Sequence, residues 1–236
     1  FLGGTSMPMD GLRAAAQALR YWEVRQQVVS HNLANVDTKA FKAERVFARL
    51  LDENLVTAES ATNFAPGTLT RTGNALDVAL EGPGFFVVDT PAGERLTRGG
   101  AFRLDETGML VDAGGRPVLG ENGPMVLPPG QIEIDARGTV RVEGVEIGRL
   151  RLEAMPAGAP LVREGDGLFV PADERIALDP ETRPVRQGFL EESNVSAIES
   201  LVEMITVQRN FAAVQNGMRV LDGVMNTIAN EIGRIG

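Results

Sequence analysis

Two kinds of hydrophobic pattern divide this chain, a helical one at both ends and a short, turn-punctuated one between them. Near the C-terminus, one register of a seven-residue count holds Ala197, Met204, Phe211, Met218, Met225 and Ile232. The register three residues on holds Ser200, Val207, Val214, Leu221, Ile228 and Ile235. Apolar positions spaced three and four apart for this long predict a coiled-coil helix. Ser196-Ala-Ile-Glu199 has the form of a capping box, which marks where that helix should start. At 1.5 Å per residue it would run roughly 60 Å, about twice the width of a small domain. A compact fold of this size cannot wrap such a helix.

The N-terminal stretch offers part of the cover. Leu12, Leu19, Gln26 and Leu33 alternate with Ala15, Trp22, Val29 and Val36 in the same rhythm, on a helix expected to begin near Asp10 and end around Asn35 to Thr38. A second stripe on the C-terminal helix, Ile198, Val202, Ile205, Ala212, Ala213 and Val220, lies off the seam. A helix that is apolar on two sides needs more than one neighbour. With one short partner helix in the chain, the other neighbours are expected to be other subunits. Gly217, Gly223 and Gly233 interrupt the helix at about 1 kcal/mol each against Ala. They read either as local weakness or as places where a neighbouring backbone comes close.

Between the helices the texture changes. Arg45 to Leu51 suits a helical turn or an extended arm, and the region to Asn74 an extended connector with one strand at Thr68 to Arg71. From Ala75, apolar runs follow closely: Val78–Leu80, Phe85–Val88, Arg95–Arg98, Ala101–Leu104, Met109–Val111, Pro117–Leu119, Ile132–Ile134, Thr139–Val142, Gly148–Leu152 and Gly167–Val170. Three separators share one form: Asp105-Glu-Thr-Gly108, Asp112-Ala-Gly-Gly115 and Asp135-Ala-Arg-Gly138. Asp first and Gly fourth suits a type I turn closed by a left-handed residue, a hairpin loop with a bulge. The predicted architecture is α+β. Residues 1–50 and 187–236 form a coiled-coil-like pair of terminal helices, 51–74 a connector, and 75–186 an inserted all-β antiparallel domain, sandwich or barrel-like.

Composition removes most chemistries. The net charge of −9 argues against a nucleic-acid groove or an anionic-membrane patch. Cysteine is absent, which excludes disulfides, thiolate metal sites and cysteine nucleophiles. His31 is the single histidine and sits off the apolar stripe, so a solvent or subunit contact is the expected role. A zinc site would then need three carboxylates, and no G-x-S-x-G elbow supports a serine nucleophile. Gly82-Pro-Gly84 and Gly114-Gly115 read as strand turns, because neither is followed by Lys-Ser/Thr or opens a helix. Glu191-Glu192 are expected to point alternately and to favour the dipole of the following helix. Asn194-Val-Ser196 matches a glycosylation sequon, but the same Ser is the expected helix cap. No run of ~18 apolar residues exists to span a membrane, and no secretory leader is visible. Phe1–Ser6 match no later pattern and stand outside the fold argument. No cofactor and no enzymatic activity are expected.

Several motifs then carry a resemblance. His31-Asn-Leu-Ala-Asn-Val-Asp-Thr-Lys-Ala-Phe-Lys42 resembles the N-terminal signature of the flagellar rod, hook and hook-associated axial proteins. Thr72–Leu80 with Gly82–Phe86, Leu96-Thr-Arg-Gly-Gly-Ala-Phe102 and Gly108–Val111 resemble the start of their β-domain. Gly188-Phe-Leu-Glu-Glu-Ser-Asn-Val195 and Val207-Gln-Arg-Asn-Phe211 resemble their C-terminal signature. Pro117–Met125 and the compact length of 236 residues look more like a proximal than a distal rod subunit.

The resemblance implies a structural subunit of the flagellar basal-body rod, exported unfolded by the flagellar type III apparatus without a cleaved signal. In the periplasm it would assemble helically with other rod proteins, and with copies of itself, into the drive shaft that carries torque and lets exported subunits pass. The expected assembly interface is Leu12, Leu19, Trp22, Val29 and Leu33, with Asn32 and Asn35 of the signature, and Met204, Phe211, Val214, Met218, Leu221, Met225, Ile228 and Ile232. The alternatives are a distal rod or hook-type subunit, or a polysaccharide-binding or -cleaving β-domain. One Trp and one Tyr, both in the N-terminal helix, leave little for the last. Ala40 departs from the family, which usually has Gly before this aromatic. If the turn needs positive φ, Ala costs about 1–2 kcal/mol there.

Overall fold

The computed structural model describes residues 7–52, 55–155, 161–171, 176–177 and 185–232. The fold is α+β, with one long helix near each end of the chain and many short antiparallel strands. The chain falls into two compact units: residues 1–34, 44–63 and 196–236 in one, and residues 35–43 and 64–195 in the other.

The first unit holds helix α1 (Met7–Ala34), a hairpin of strands β1 (Glu44–Asp52) and β2 (Leu55–Thr62), and helix α2 (Ala197–Ile232). α2 starts where the capping residue says it should. The Ser196 Oγ accepts the Glu199 N–H at 3.4 Å, and the Ser200 N–H closes the first turn on the Ser196 carbonyl. The hairpin is a finding that the pattern did not announce, because the same stretch reads as an arm and a connector. β1 and β2 pair over almost their whole length, from Glu44 opposite Thr62 to Asp52 opposite Leu55, with an irregularity after Leu50. Its polar residues pair across the strands, as with Arg49 and Glu59 at 3.1 Å, so no apolar alternation reveals it.

The second unit is built from short strands, the predicted runs together with the unforeseen Val162–Gly165, Ile176–Ala177, Val185–Gln187 and Phe189–Glu191. Its largest sheet has six, in the order Val162–Gly165, Leu168–Val170, Arg95–Thr97, Phe85–Val88, Leu152–Ala154, Ile176–Ala177. Phe85–Val88 is buried along its length. Side chains alternate across a strand, so Phe86 and Val88 enter one core with Val78, Leu110, Val140 and Leu150. Phe85 and Val87 enter a second core with Leu96, Leu119 and Phe169. Each such side chain contributes about 1.5–3 kcal/mol by leaving water.

The repeated Asp-x-x-Gly separators are three versions of one turn. In each, the Asp N–H and the residue four on close the hairpin, as Asp105 to Met109 (3.0 Å), Asp112 to Arg116 (2.9 Å) and Asp135 to Thr139 (3.0 Å). The Asp Oδ1 accepts the N–H of that fourth residue, and the Gly turns back at φ of 80°, 80° and 76°. One expected strand, Gly148–Leu152, is two in the structure, Val145–Arg149 and Leu152–Ala154. Between them Leu150 and Arg151 donate to the carbonyls of Gly138 and Leu119, so the chain changes sheet there.

Candidate functional site

α2 packs along α1. Arg25 and Ser30, in the last third of α1, meet Glu203 (2.7 Å) and Met204 (4.0 Å), so the later part of α1 lies against the beginning of α2. The seam read from the sequence is the face they cover. Val29, Ser200 and Val207 are buried, Val207 to 1% exposure. Leu12, Leu19, Trp22 and Leu33 on α1 are half-buried, as are Met204, Phe211, Val214, Met218 and Leu221 on α2. Met225, on the same register, is exposed. The side chains of Ile228 and Ile232 lie outside the described residues.

The second stripe is uncovered. Ile198 is 76% exposed, and Leu201, Val202, Ile205, Val220 and Val224 are all more than half exposed. They form two apolar patches, 198–205 and 220–224, with the exposed Ala212 and Ala213 between them. Gly217 and Gly223 lie on the same helix, and a Cβ added at either would meet nothing within 4 Å. Packing among the described residues therefore gives no reason for them.

The two asparagines of the N-terminal signature are engaged inside the chain. Asn32 is buried and grips the backbone of Glu44 from both sides: its Nδ2 donates to the Glu44 carbonyl (2.8 Å) and its Oδ1 accepts the Glu44 N–H (2.9 Å). It thereby fixes the start of β1 as a neighbouring strand would. Asn35 holds the end of α1, where its carbonyl and Oδ1 accept the N–H and hydroxyl of Thr38. His31 lies 3.8 Å from the Glu44 carboxylate, half in solvent.

In the second unit, three charged residues from three distant motifs meet out of water. The side chains of Lys42 and Glu191 are each 1% exposed and 2.6 Å apart. On the other Glu191 oxygen lies the guanidinium of Arg98, with Nε at 2.8 Å. The Gly67 N–H also donates to Glu191, at 2.7 Å, and a Cβ at Gly67 would strike the Glu192 carbonyl at 2.1 Å. Two cations to one carboxylate leave a surplus positive charge, which the carbonyls of Ala65, Leu80, Gly82 and Gly84 solvate. The Gly82-Pro-Gly84 turn thus offers oxygens to a cation, the reverse of a phosphate loop.

Burial pushes the Lys42 ammonium below its usual pKa, against the opposing pull of Glu191. Glu192 faces the other way, to Lys39 at 2.5 Å, and that hydrogen bond holds its carboxyl below the ordinary range. So the paired acids do alternate, but Glu191 serves a buried network rather than the dipole of α2. Nearby, Arg163 stacks on Phe41 (4.7 Å) and donates to the Lys42 carbonyl. Ala40 adopts φ 58°, so this position does demand the left-handed conformation. Among the described residues no three of His, Cys, Asp and Glu gather to hold a metal ion, and no helix is long and apolar enough to cross a membrane.

Residues 79–142 match the family model described as the flagellar hook protein FlgE/F/G D1 domain, and residues 186–231 match that of the flagellar basal body rod FlgEFG protein C-terminal. The flagellar basal-body rod protein FlgF of Rhizobium meliloti is 35% identical over 94% of this chain and 98% of its own length. This chain belongs to the flagellar basal-body rod proteins. FlgF of Escherichia coli is 35% identical over 89% of this chain and 90% of its own length; the rod protein FlgG of Bacillus subtilis is 28% identical over 94% and 98%. The rod protein described here is accordingly a structural subunit, and its place is the flagellar basal body. Its buried cluster draws Lys42, Arg98 and Glu191 from within the motifs that carry the family likeness.

Proposed function

We propose that this subunit joins the rod through the outer face of α2, where Ile198, Leu201, Val202, Ile205, Val220 and Val224 seat against the terminal helices of neighbouring rod subunits. The single observation that carries this is the pair of apolar patches, at 198–205 and 220–224, left in water beside a seam already covered by α1. The seam residues then act one step earlier, winding α1 and α2 into a coiled-coil pair that presents the outer face. Leu12, Leu19, Trp22, Val29, Phe211, Val214, Met218 and Leu221 shape the interface from beneath, and Met225, Ile228 and Ile232 extend it toward the end of α2. Residues 64–195 form the inserted β-domain of the axial subunit. The neighbours are other rod proteins or further copies of this chain, reached after export through the flagellar type III apparatus, and the assembled helices carry torque in the periplasmic part of the rod. A proximal-type subunit is supported by the Pro117–Met125 motif.

Val202→Asp tests the reading. Val202 touches solvent already, so the purified chain should keep its melting temperature and helix content. A charge desolvated in a packed interface is costly, so cells carrying the variant should not swim, and basal bodies should lack the subunit. Normal swimming with Val202→Asp and with Ile205→Asp would overturn the proposal.

A further inference from the structure

We infer that the buried cluster of Lys42, Glu191 and Arg98, together with Asn194, is a mechanical clasp that binds the β-rich unit's entry and exit segments to one another. All its residues belong to that unit. The chain enters and leaves the unit around residues 35–43, at 64 and at 195. Each of these segments is tied to the others by atoms already in place.

The Ala40 N–H donates to the Glu191 carbonyl (2.7 Å) and the Asn194 N–H to the Phe41 carbonyl (3.3 Å), which joins the first segment to the last. Asn194 adds its side chain: Oδ1 accepts the Ala43 N–H (2.7 Å) and Nδ2 donates to the Ala65 carbonyl (2.9 Å). Lys42 Nζ reaches the same Ala65 carbonyl (2.9 Å) as well as Glu191 (2.6 Å). Gly67 closes the set on Glu191 at 2.7 Å. Arg98 anchors Glu191 in turn to the inner turn at Gly82 and Gly84.

These three segments are thus held by bonds that, apart from the one from Lys42 to Ala65, share two residues, Glu191 and Asn194. Stability alone does not call for this design, because a buried ion pair seldom gains more than a well-packed apolar group would. What it does provide is a joint whose bonds must break together when the segments are pulled apart. That use rests on the reading of the chain as a torque-carrying rod subunit. The chain passes into and out of the β-rich unit through these three segments, and the clasp ties them to one another where they enter.

The test uses the purified full chain, and so does not depend on whether the chain assembles. Because the chain has no cysteine, Asp37→Cys and Glu199→Cys give unique handles for pulling by optical tweezers. Two variants loosen the clasp without stranding a charge. Asn194→Ala removes two of the ties, and Lys42→Met leaves Glu191 paired with Arg98. Each should lower the first rupture force between the handles. Each should also speed hydrogen exchange at the amides of Ala40, Ala43 or Gly67 at least tenfold, a change of about 1.4 kcal/mol or more, while Phe86 to Val88 keep their protection. The inference fails if both variants rupture at the wild-type force, or if the loss of protection spreads evenly through the sheets, as an ordinary contribution to stability would.

Discussion

The two units of this rod protein solve the same physical problem in opposite ways. In the β-rich unit, short strands close around two apolar cores, and the charged residues that enter the interior arrive with partners. In the helical unit, α2 has one face covered by α1 and apolar patches on another face in water. A fold that leaves such a face open is incomplete by the standard of a monomer. The contrast separates two kinds of apolar residue on one helix. Seam residues hold the chain together, and outer-face residues matter only when a neighbour is present.

Substitutions should expose that difference, most strongly in the cores. Phe86→Ala is expected to destabilise the β-rich unit by about 3–5 kcal/mol, read as an early loss of the β transition in thermal or urea melts. Val207→Asp, on the buried seam, should separate α1 from α2 at a cost of about 3 kcal/mol or more. Far-ultraviolet circular dichroism would then report lost helix while the β transition stays in place. At Val202, five residues earlier and on the outer face, the same change to Asp should leave both transitions within about 0.5 kcal/mol. Equal losses at Val207 and Val202 would erase the distinction between seam and outer face.

Smaller effects sharpen the picture of the β-rich unit. Ala40→Gly removes the strain of an Ala at φ 58° and should stabilise by about 1 kcal/mol, measured by urea denaturation. The mildest test is acid. Asp105 sits below its usual pKa because Thr107 and the Met109 N–H bond to its ionised form, and Asp135 does likewise where N–H donors at Thr139 and Arg137 outweigh its partial burial. Glu192 is held down by Lys39. A carboxyl whose pKa is lower in the folded chain adds stability above its unfolded value, and that stability is lost as pH falls through the folded value. The β transition should therefore drop below about pH 4. Asp105→Asn should make that drop shallower, and a melting temperature flat down to pH 2 would contradict the turn geometry.

What could be read from the sequence follows the range over which each interaction acts. The Asp-x-x-Gly turns and the strands they join were visible because four or five consecutive residues complete the motif. The seam was visible because helical periodicity repeats one local rule from Ala197 to Leu221. The hairpin of β1 and β2 was not, since its register depends on a partner strand and on Asn32 gripping Glu44. The buried cluster was the least visible. Lys42 and Glu191 are 149 residues apart, and Arg98 and Glu191 are 93. Only one hint existed, that Lys42 and Arg98 are charged residues among apolar and small neighbours. Asn32 and Asn35 were read as interface residues because they stand in a signature, and the structure shows them holding local backbone.

The most direct measurement is thiol labelling at paired positions of α2 in a chain that has no cysteine of its own. Val202→Cys and Val207→Cys would each be exposed to a maleimide, first as purified protein and then in isolated basal bodies. The account predicts that Cys at 202 reacts fast in the purified chain and is protected in the basal body, while Cys at 207 is protected in both. Equally fast labelling of position 202 in the two preparations would show that no neighbour covers the outer face of α2, and would contradict the account.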